Sequence, residues 1–137
     1  MSKEMLGAIV FEKYEVVEVS FKKNDAYDSE EVSVDVKLDA DIKMDDDKES
    51  MIVELELKLF ENAVEKGYPF DMYVLVRGYF SGRGEDILQY QANAIAILYP
   101  YVRALVSTYT ANSNVTPLIL PTINVNKMLK EKKAELH

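Results

Sequence analysis

Apolar and polar residues alternate with a period of two over the first two thirds of the chain, which is the pattern of strands that bury one face. The clearest example runs from Val32 to Met44, where every second residue is apolar. The pattern predicts four strands, at about 8–23, 31–44, 51–61 and 70–81. The segments between them are short and rich in turn residues, so we expect hairpins and an antiparallel meander.

Each predicted strand has one polar face. In the first strand, Val17, Val19 and Phe21 are expected to share the buried face. The opposite faces of the sheet together carry many acids, so we expect one broad acidic surface, formed by Glu12, Glu18, Asp35, Asp39, Asp41, Glu54 and Glu56.

After Ser81-Gly82-Arg83-Gly84 the apolar spacing becomes three and four, which predicts a long helix at about 85–110. A shorter amphipathic helix is predicted at about 124–135, with Asn124 as its N-cap. Pro100 removes a backbone donor inside the long helix, so we expect a kink or a break there. Arg103 lies on an otherwise apolar helix and is expected to pair with a carboxylate or a carbonyl group.

The long helix is apolar on two sides, one containing Tyr99 and Val102 and the other containing Ile97 and Tyr101. A single sheet cannot cover both sides, so we expect a second packing partner, most simply another subunit. The elements together predict one α+β domain over residues 1–137. It consists of a four-stranded antiparallel sheet followed by a long helix and a shorter C-terminal helix.

The charge balance narrows the range of partners. The net charge is -8 and the pI is about 4.7, which argues against nucleic acid and anionic membranes as partners because both require a positive surface. Cysteine is absent, so disulfides and Cys-ligated metals are excluded. The first residues carry no apolar run of signal-peptide length and no segment is long enough to span a bilayer. We therefore expect a cytoplasmic protein without direct membrane insertion.

Catalytic chemistry and cofactors find little support in the sequence. The single histidine, His137, is the last residue and is either native or derived from a purification tag. The acidic stretch 39–49 has Lys43 at an alternating acid position and no glycine at the sharp turn that a calcium loop needs. Gly78, Gly82 and Gly84 lack the spacing of a phosphate-binding loop. We expect no metal, no cofactor and no enzyme activity.

The stretch Asn93-Ala-Ile-Ala-Ile-Leu-Tyr-Pro100-Tyr101-Val-Arg103, followed by Pro117-Leu118-Ile-Leu120-Pro121 and Asn124, resembles the SecB export-chaperone family in order and spacing. The resemblance covers Tyr79 to about Leu129, and the predicted sheet precedes it. It implies a SecB-like fold and assembly into a homodimer or homotetramer through the long helix. It also implies that unfolded polypeptide, including preproteins for export, binds in apolar grooves beside the sheet.

Family members also use acids on the sheet to engage the SecA motor ATPase, and Glu18 in Val17-Glu18-Val19-Ser20-Phe21 resembles one of these. Other aligned positions of that surface differ in this chain, where they hold Lys22, Asp71 and Tyr73. Whether SecA is a partner is therefore left open. Chaperones dedicated to one client, such as those of toxin–antitoxin pairs, share the fold. A SecB-fold adaptor without SecA docking, or an oligomeric structural protein, remains an alternative.

The sequence also suggests which residues contact a client. Aromatic side chains and apolar loops offer sequence-tolerant contact, whereas apolar residues at helical spacing also serve as core. The residues predicted to bind clients are Tyr99, Val102, Leu105, Tyr109, Val115, Leu118 and Ile119. Among them the loop residues Val115, Leu118 and Ile119 are the strongest candidates, because an apolar loop needs cover.

Overall fold

A computed structural model of the protein describes residues 9–27, 33–47, 49–82 and 87–136. Its helices and strands follow in the order β1 Ile9–Lys23, β2 Val36–Met44, β3 Ser50–Leu59, α1 Ala63–Lys66, β4 Phe70–Gly82, a 3-10 turn Ile87–Tyr90, α2 Gln91–Ala111 and α3 Val125–Leu136. The predicted fold class is confirmed, because a four-stranded antiparallel sheet precedes a long helix and a shorter C-terminal helix.

The strand order is β1-β4-β3-β2, so the predicted simple meander is wrong. Strands β2, β3 and β4 follow one another as neighbours, but β1 lies beside β4 at the opposite edge from β2. Ring packing stabilises the β1–β4 pairing, since Phe11 stacks on Phe80 and Phe21 on Phe70 at centroid distances of 5.2 and 5.0 Å. The chain between β1 and β2 must therefore cross one end of the sheet instead of turning back as a hairpin.

Strand β1 contains two irregularities in its pairing with β4, one of them between Val16 and Glu18. Such a bulge adds a residue to one strand and reverses the face of those that follow. Val19 and Phe21 pack against the core as predicted, but Val17 lies at the bulge and is 42% exposed. The prediction that Val17 shares their buried face is therefore wrong.

The predicted starts of the second strand and of the long helix differ from the structure, in which α2 begins at Gln91 after a 3-10 turn. Strand β2 begins at Val36, and Val34 precedes it with 47% of its surface exposed. Residues 28–32, including Val32 and the predicted start of this strand at 31, lie outside the described residues, as do the predicted start of the first strand at 8, the predicted helix start at 85 and His137.

Helix α2 continues through Pro100, so the chain does not break there. The proline removes the donor that would bond the carbonyl of Ala96, and both residues lie on the exposed side of the helix. Water can therefore bind the freed carbonyl.

The core lies between one face of the sheet and α2. Alternate residues of β3 and β4 point inward and are buried, and α2 contributes Ile95, Leu98, Val102 and Val106. Helix α3 packs beside α2, and the predicted N-cap is confirmed, since the backbone N–H of Lys127 donates to Asn124 Oδ1 at 3.0 Å.

Candidate functional site: a cavity beside the loop after α2

A cavity of about 950 Å³ lies between the residues at the end of β1 and the loop after α2. One wall is the end of β1 and the residues after it, and the opposite wall is the loop between α2 and α3, residues 112–124. The lining residues that the structure describes are Lys23, Asn24, Asp25, Tyr27, Val34, Phe60, Pro69, Phe70, Asn114, Val115, Thr116, Pro117 and Leu118. The described lining therefore combines residues that are far apart in the sequence, from the end of β1 to the loop after α2.

Aromatic rings form the floor of this large cavity. Phe60 directly follows β3. Its ring packs edge-on against Phe70, with 5.1 Å between ring centroids, and at a tilt against Tyr68, with 5.0 Å between centroids. The φ angle of Phe60 is 54°, a left-handed conformation that costs a bulky residue about 1–2 kcal/mol. Its backbone N–H donates to the carbonyl of Asp35 at 2.8 Å, which helps to hold the chain in this conformation.

A second cavity, of about 230 Å³, adjoins the same loop. It lies between β2 and the loop and is lined by Val36, Leu38, Leu57, Tyr99, Leu120, Pro121, Ile123 and Met128. All of these residues are apolar or aromatic. The 112–124 loop thus borders both the large cavity and this small cavity.

Polar side chains of α2 hold the 112–124 loop by its backbone. Two hydroxyls and a guanidinium donate to loop carbonyls, and a third hydroxyl accepts a loop N–H. The bonds are Tyr99 to Pro121 O at 2.7 Å, Arg103 Nε to Leu120 O at 3.0 Å, Ser107 to Leu118 O at 3.3 Å, and Leu118 N–H to Thr110 Oγ1 at 2.9 Å. Arg103 therefore pairs with a carbonyl, one of the two partners that the sequence predicts for it.

The pKa of Tyr99 is raised because burial disfavours its ionised form, and the nearby positive charge of Arg103 opposes part of that rise. Tyr99 therefore stays protonated at neutral pH. Its hydroxyl remains a hydrogen-bond donor to the loop.

The residues predicted to contact clients fall into three environments. Tyr99 and Val102 are buried in the core, and Leu105 is partly buried against it. Val115 and Leu118 line the large cavity. Tyr109 is 39% exposed and Ile119 is 76% exposed. The structure thus brings two of the three loop residues, Val115 and Leu118, to the cavity, whereas Tyr99 and Val102 pack beneath the surface. Client contact remains a prediction for all seven.

The sequence analysis missed the other wall of the cavity, which contains Lys23, Asn24, Asp25 and Tyr27. These residues follow a strand and look like ordinary turn residues in the sequence. No local signal could place them opposite the 112–124 loop, because that placement depends on the strand order.

Ion pairs and hydrogen bonds cross the outer face of the sheet. Arg77 lies 3.4 Å from Glu54 and 3.7 Å from Glu15, and Tyr73 donates to Glu56 at 2.6 Å. Several acids of the predicted acidic surface are therefore partnered within the subunit. Glu18 is exposed on this face, and its engagement of SecA stays a prediction.

An apolar surface remains where α2 meets the edge strand β1. Tyr14 packs on Tyr101 with 4.2 Å between ring centroids, yet Tyr14 is 42% exposed. Val16 and Ile97 are also exposed. The sheet and the loop therefore cover one side of α2 and leave apolar area on the other.

Within the described part of the chain, no group of three or more acidic or histidine side chains could hold a metal ion. Among the same residues, no helix has the length and apolarity needed to cross a membrane.

No family model matches the chain. It is 34% identical over 128 residues to the uncharacterized protein MJ0357 of Methanocaldococcus jannaschii, a match that covers 89% of this chain and 83% of that protein. This identity and coverage place the two proteins in one family.

The fold is similar to that of the Mycobacterium tuberculosis Rv1957 SecB-like chaperone, solved in complex with a ChAD peptide from the Rv1956 HigA1 antitoxin. The TM-score is 0.68 with 16% sequence identity, over 85% of this chain and 91% of that one. A Streptococcus agalactiae protein of unknown function gives a TM-score of 0.49 with 10% identity, over 83% of this chain and 97% of that one. The chain therefore belongs to the family of the Methanocaldococcus jannaschii protein and has the fold of a SecB-like chaperone.

Proposed function

We propose that this protein is a chaperone that holds an extended apolar segment of a non-native polypeptide in the large cavity, against the 112–124 loop. The observation that carries the proposal is the cavity of about 950 Å³ between that loop and the end of β1. Pockets for compact ligands span roughly 300–1,000 Å³, so this cavity lies at the upper end of that range. Its size suits several side chains of an extended segment.

The chemistry of the lining supports a peptide ligand. The floor is aromatic, with Phe60 and Phe70, and the rim carries Lys23 and Asp25. Within the described residues neither rim charge has an ion-pair partner, so both remain available to a bound chain. An apolar centre with a polar rim is the usual anatomy of a protein interface.

The exposure of the loop supports the same conclusion. Ile119 exposes 76% of its surface beside Leu118, which lines the cavity. A large aliphatic side chain in this position would gain about 1.5–3 kcal/mol if a ligand buried it fully. The neighbour of known structure was solved with an antitoxin peptide, which is consistent with a polypeptide client here.

The client range has two alternatives, a general holding role that includes preproteins for export and a dedicated role for one client. The pairing of Arg77 with Glu54 and Glu15 favours the dedicated role, because it reduces the acidity that the outer face offers to an export motor. Comparing binding of SecA to the wild type and to Glu18→Lys would decide between them.

We infer that a second copy of the chain covers the exposed apolar surface of Tyr14, Val16 and Ile97. Exposed apolar side chains that lie together on a surface are often covered by a protein partner. Light scattering would report the molar mass of a dimer or a tetramer. The Ile97→Asp substitution would shift the measured mass toward that of a monomer.

The test of the function is suppression of aggregation. The wild type should reduce the light scattering of citrate synthase during thermal denaturation, and Val34→Asp, at an exposed residue that lines the large cavity, should lose most of this activity while its unfolding transition stays unchanged. The matched control is Val17→Asp, which places the same charge at a similarly exposed valine that lines neither cavity. If the wild type fails to suppress aggregation, or if the two variants are equally impaired, the proposal is wrong.

A further inference from the structure

Four polar side chains of α2 form a single stripe along the helix. Tyr99, Arg103, Ser107 and Thr110 are spaced by four, four and three residues, so they lie on one helical face. All four bind backbone groups of residues 118–121. The side chains are distributed over three turns, and their partners follow in reverse order along the loop, so the loop segment runs antiparallel to the helix.

We propose that these four are positioning residues, which hold the 112–124 loop in one extended conformation so that the large cavity exists before a client arrives. The inference rests on the proposed function and concerns how the same cavity is kept ready. A loop that must be ordered during binding loses conformational entropy for each residue that becomes fixed. A loop already held by α2 avoids that loss, and a client then binds more tightly.

Thr110 is the most informative member of the stripe. Its side chain is fully buried, and its hydroxyl donates to the carbonyl of Val106 at 2.8 Å while accepting the N–H of Leu118 at 2.9 Å. A valine of the same shape would leave the N–H of Leu118 without a partner. A serine would keep both hydrogen bonds.

The bonds also explain the alternating environments of the loop residues. The backbone of Leu118 and the carbonyl of Leu120 bond to α2, and Leu120 is buried, whereas Ile119 between them is largely exposed. Anchoring the two flanking residues fixes the direction in which Ile119 projects. The stripe therefore holds Leu118, which lines the large cavity, and also sets the direction of the exposed Ile119 side chain beside it.

The experiment compares Thr110→Val with Thr110→Ser. The probe is fluorescein-labelled α-lactalbumin kept unfolded by reduction and carboxymethylation, and its affinity is measured by anisotropy under conditions where each variant is fully folded. Thr110→Val should weaken binding by roughly two- to tenfold, the equivalent of one hydrogen bond, and should accelerate amide exchange at Leu118. Thr110→Ser should restore both properties.

Thr108→Val is the matched control, because Thr108 lies on the exposed side of α2 and its hydroxyl makes no bond to the loop. If Thr110→Val does not fold, Tyr99→Phe removes a different bond of the stripe and should give the same two effects. Unchanged affinity in a variant whose loop amides exchange faster would overturn the inference while leaving the proposed function intact. A wild type that does not bind the probe would instead reject the proposed function.

Discussion

The side-chain amide of Asn24 donates to the backbone carbonyl of Tyr68 at 2.9 Å, across 44 residues of sequence. The same amide reaches the carbonyl of Ala63 at 3.3 Å, and its oxygen accepts the N–H of Ala26 at 3.0 Å. Asn24 is 5% exposed. One buried side chain thus joins the end of β1 to the connection between β3 and β4, beside the floor of the large cavity.

Replacing Asn24 is expected to destabilise this corner. Asn24→Ala should lower the free energy of unfolding by about 1–3 kcal/mol, because the carbonyl of Tyr68 and the N–H of Ala26 lose their partner, whereas the carbonyl of Ala63 keeps the N–H of Tyr68. Asn24→Asp should cost more, since it places a carboxylate against those same carbonyls. Urea unfolding of the wild type and the two variants measures the order of their stabilities. An Asn24→Asp variant as stable as the wild type would contradict this prediction.

The close approach of α2 to the sheet depends on Gly78. A Cβ atom at this position would lie 2.9 Å from the ring of Phe80 and 3.0 Å from a methyl group of Leu98. Gly78→Ala should therefore destabilise the protein by about 1–3 kcal/mol through overpacking. The double variant Gly78→Ala with Leu98→Val tests the cause: if its loss of stability equals the sum of the two single losses, then contact with Leu98 is not the reason.

Alkaline pH should destabilise the protein, because it ionises Tyr73 on the outer face of the sheet. Its hydrogen bond to Glu56 raises the pKa of Tyr73 to about 12, with burial and the charges of Glu56, Glu18 and Glu54 adding to the effect. Because the folded-state pKa lies above the ordinary value of 10.0, this stabilisation is complete below about pH 10 and is lost as the pH rises through about 12.

Chemical unfolding at several pH values across that window measures the fall in the free energy of unfolding. In Tyr73→Phe this free energy should fall less steeply with pH. Part of the pH dependence should remain in the variant, because the pKa values of Tyr68 and Tyr99 are also raised. Tyr109→Phe, at an exposed position, is the control. A wild type and a Tyr73→Phe variant with the same alkaline profile would show that this hydrogen bond does not stabilise the fold.

The local pattern was sufficient for much of the fold. Alternation over Met51 to Leu59 predicted which face of β3 is buried, because a strand exposes its two faces in turn. The N-cap at Asn124 was also predictable from local sequence, because a cap joins groups only three residues apart. The bulge at Val17 was not predictable, because an irregular pairing depends on the partner strand.

The sequence by itself determined the four strands, the two longer helices α2 and α3 and the apolar character of the loop around Ile119, since these depend on neighbours along the chain. It did not predict the four-residue helix α1. Only the tertiary structure decided that β1 lies beside β4, that Asn24 and Phe60 face the loop across a cavity, and that Arg103 binds the carbonyl of Leu120. Periodicity specifies which face of an element is buried, but it carries no information about which other element covers that face. The candidate site is built from such pairings between distant segments.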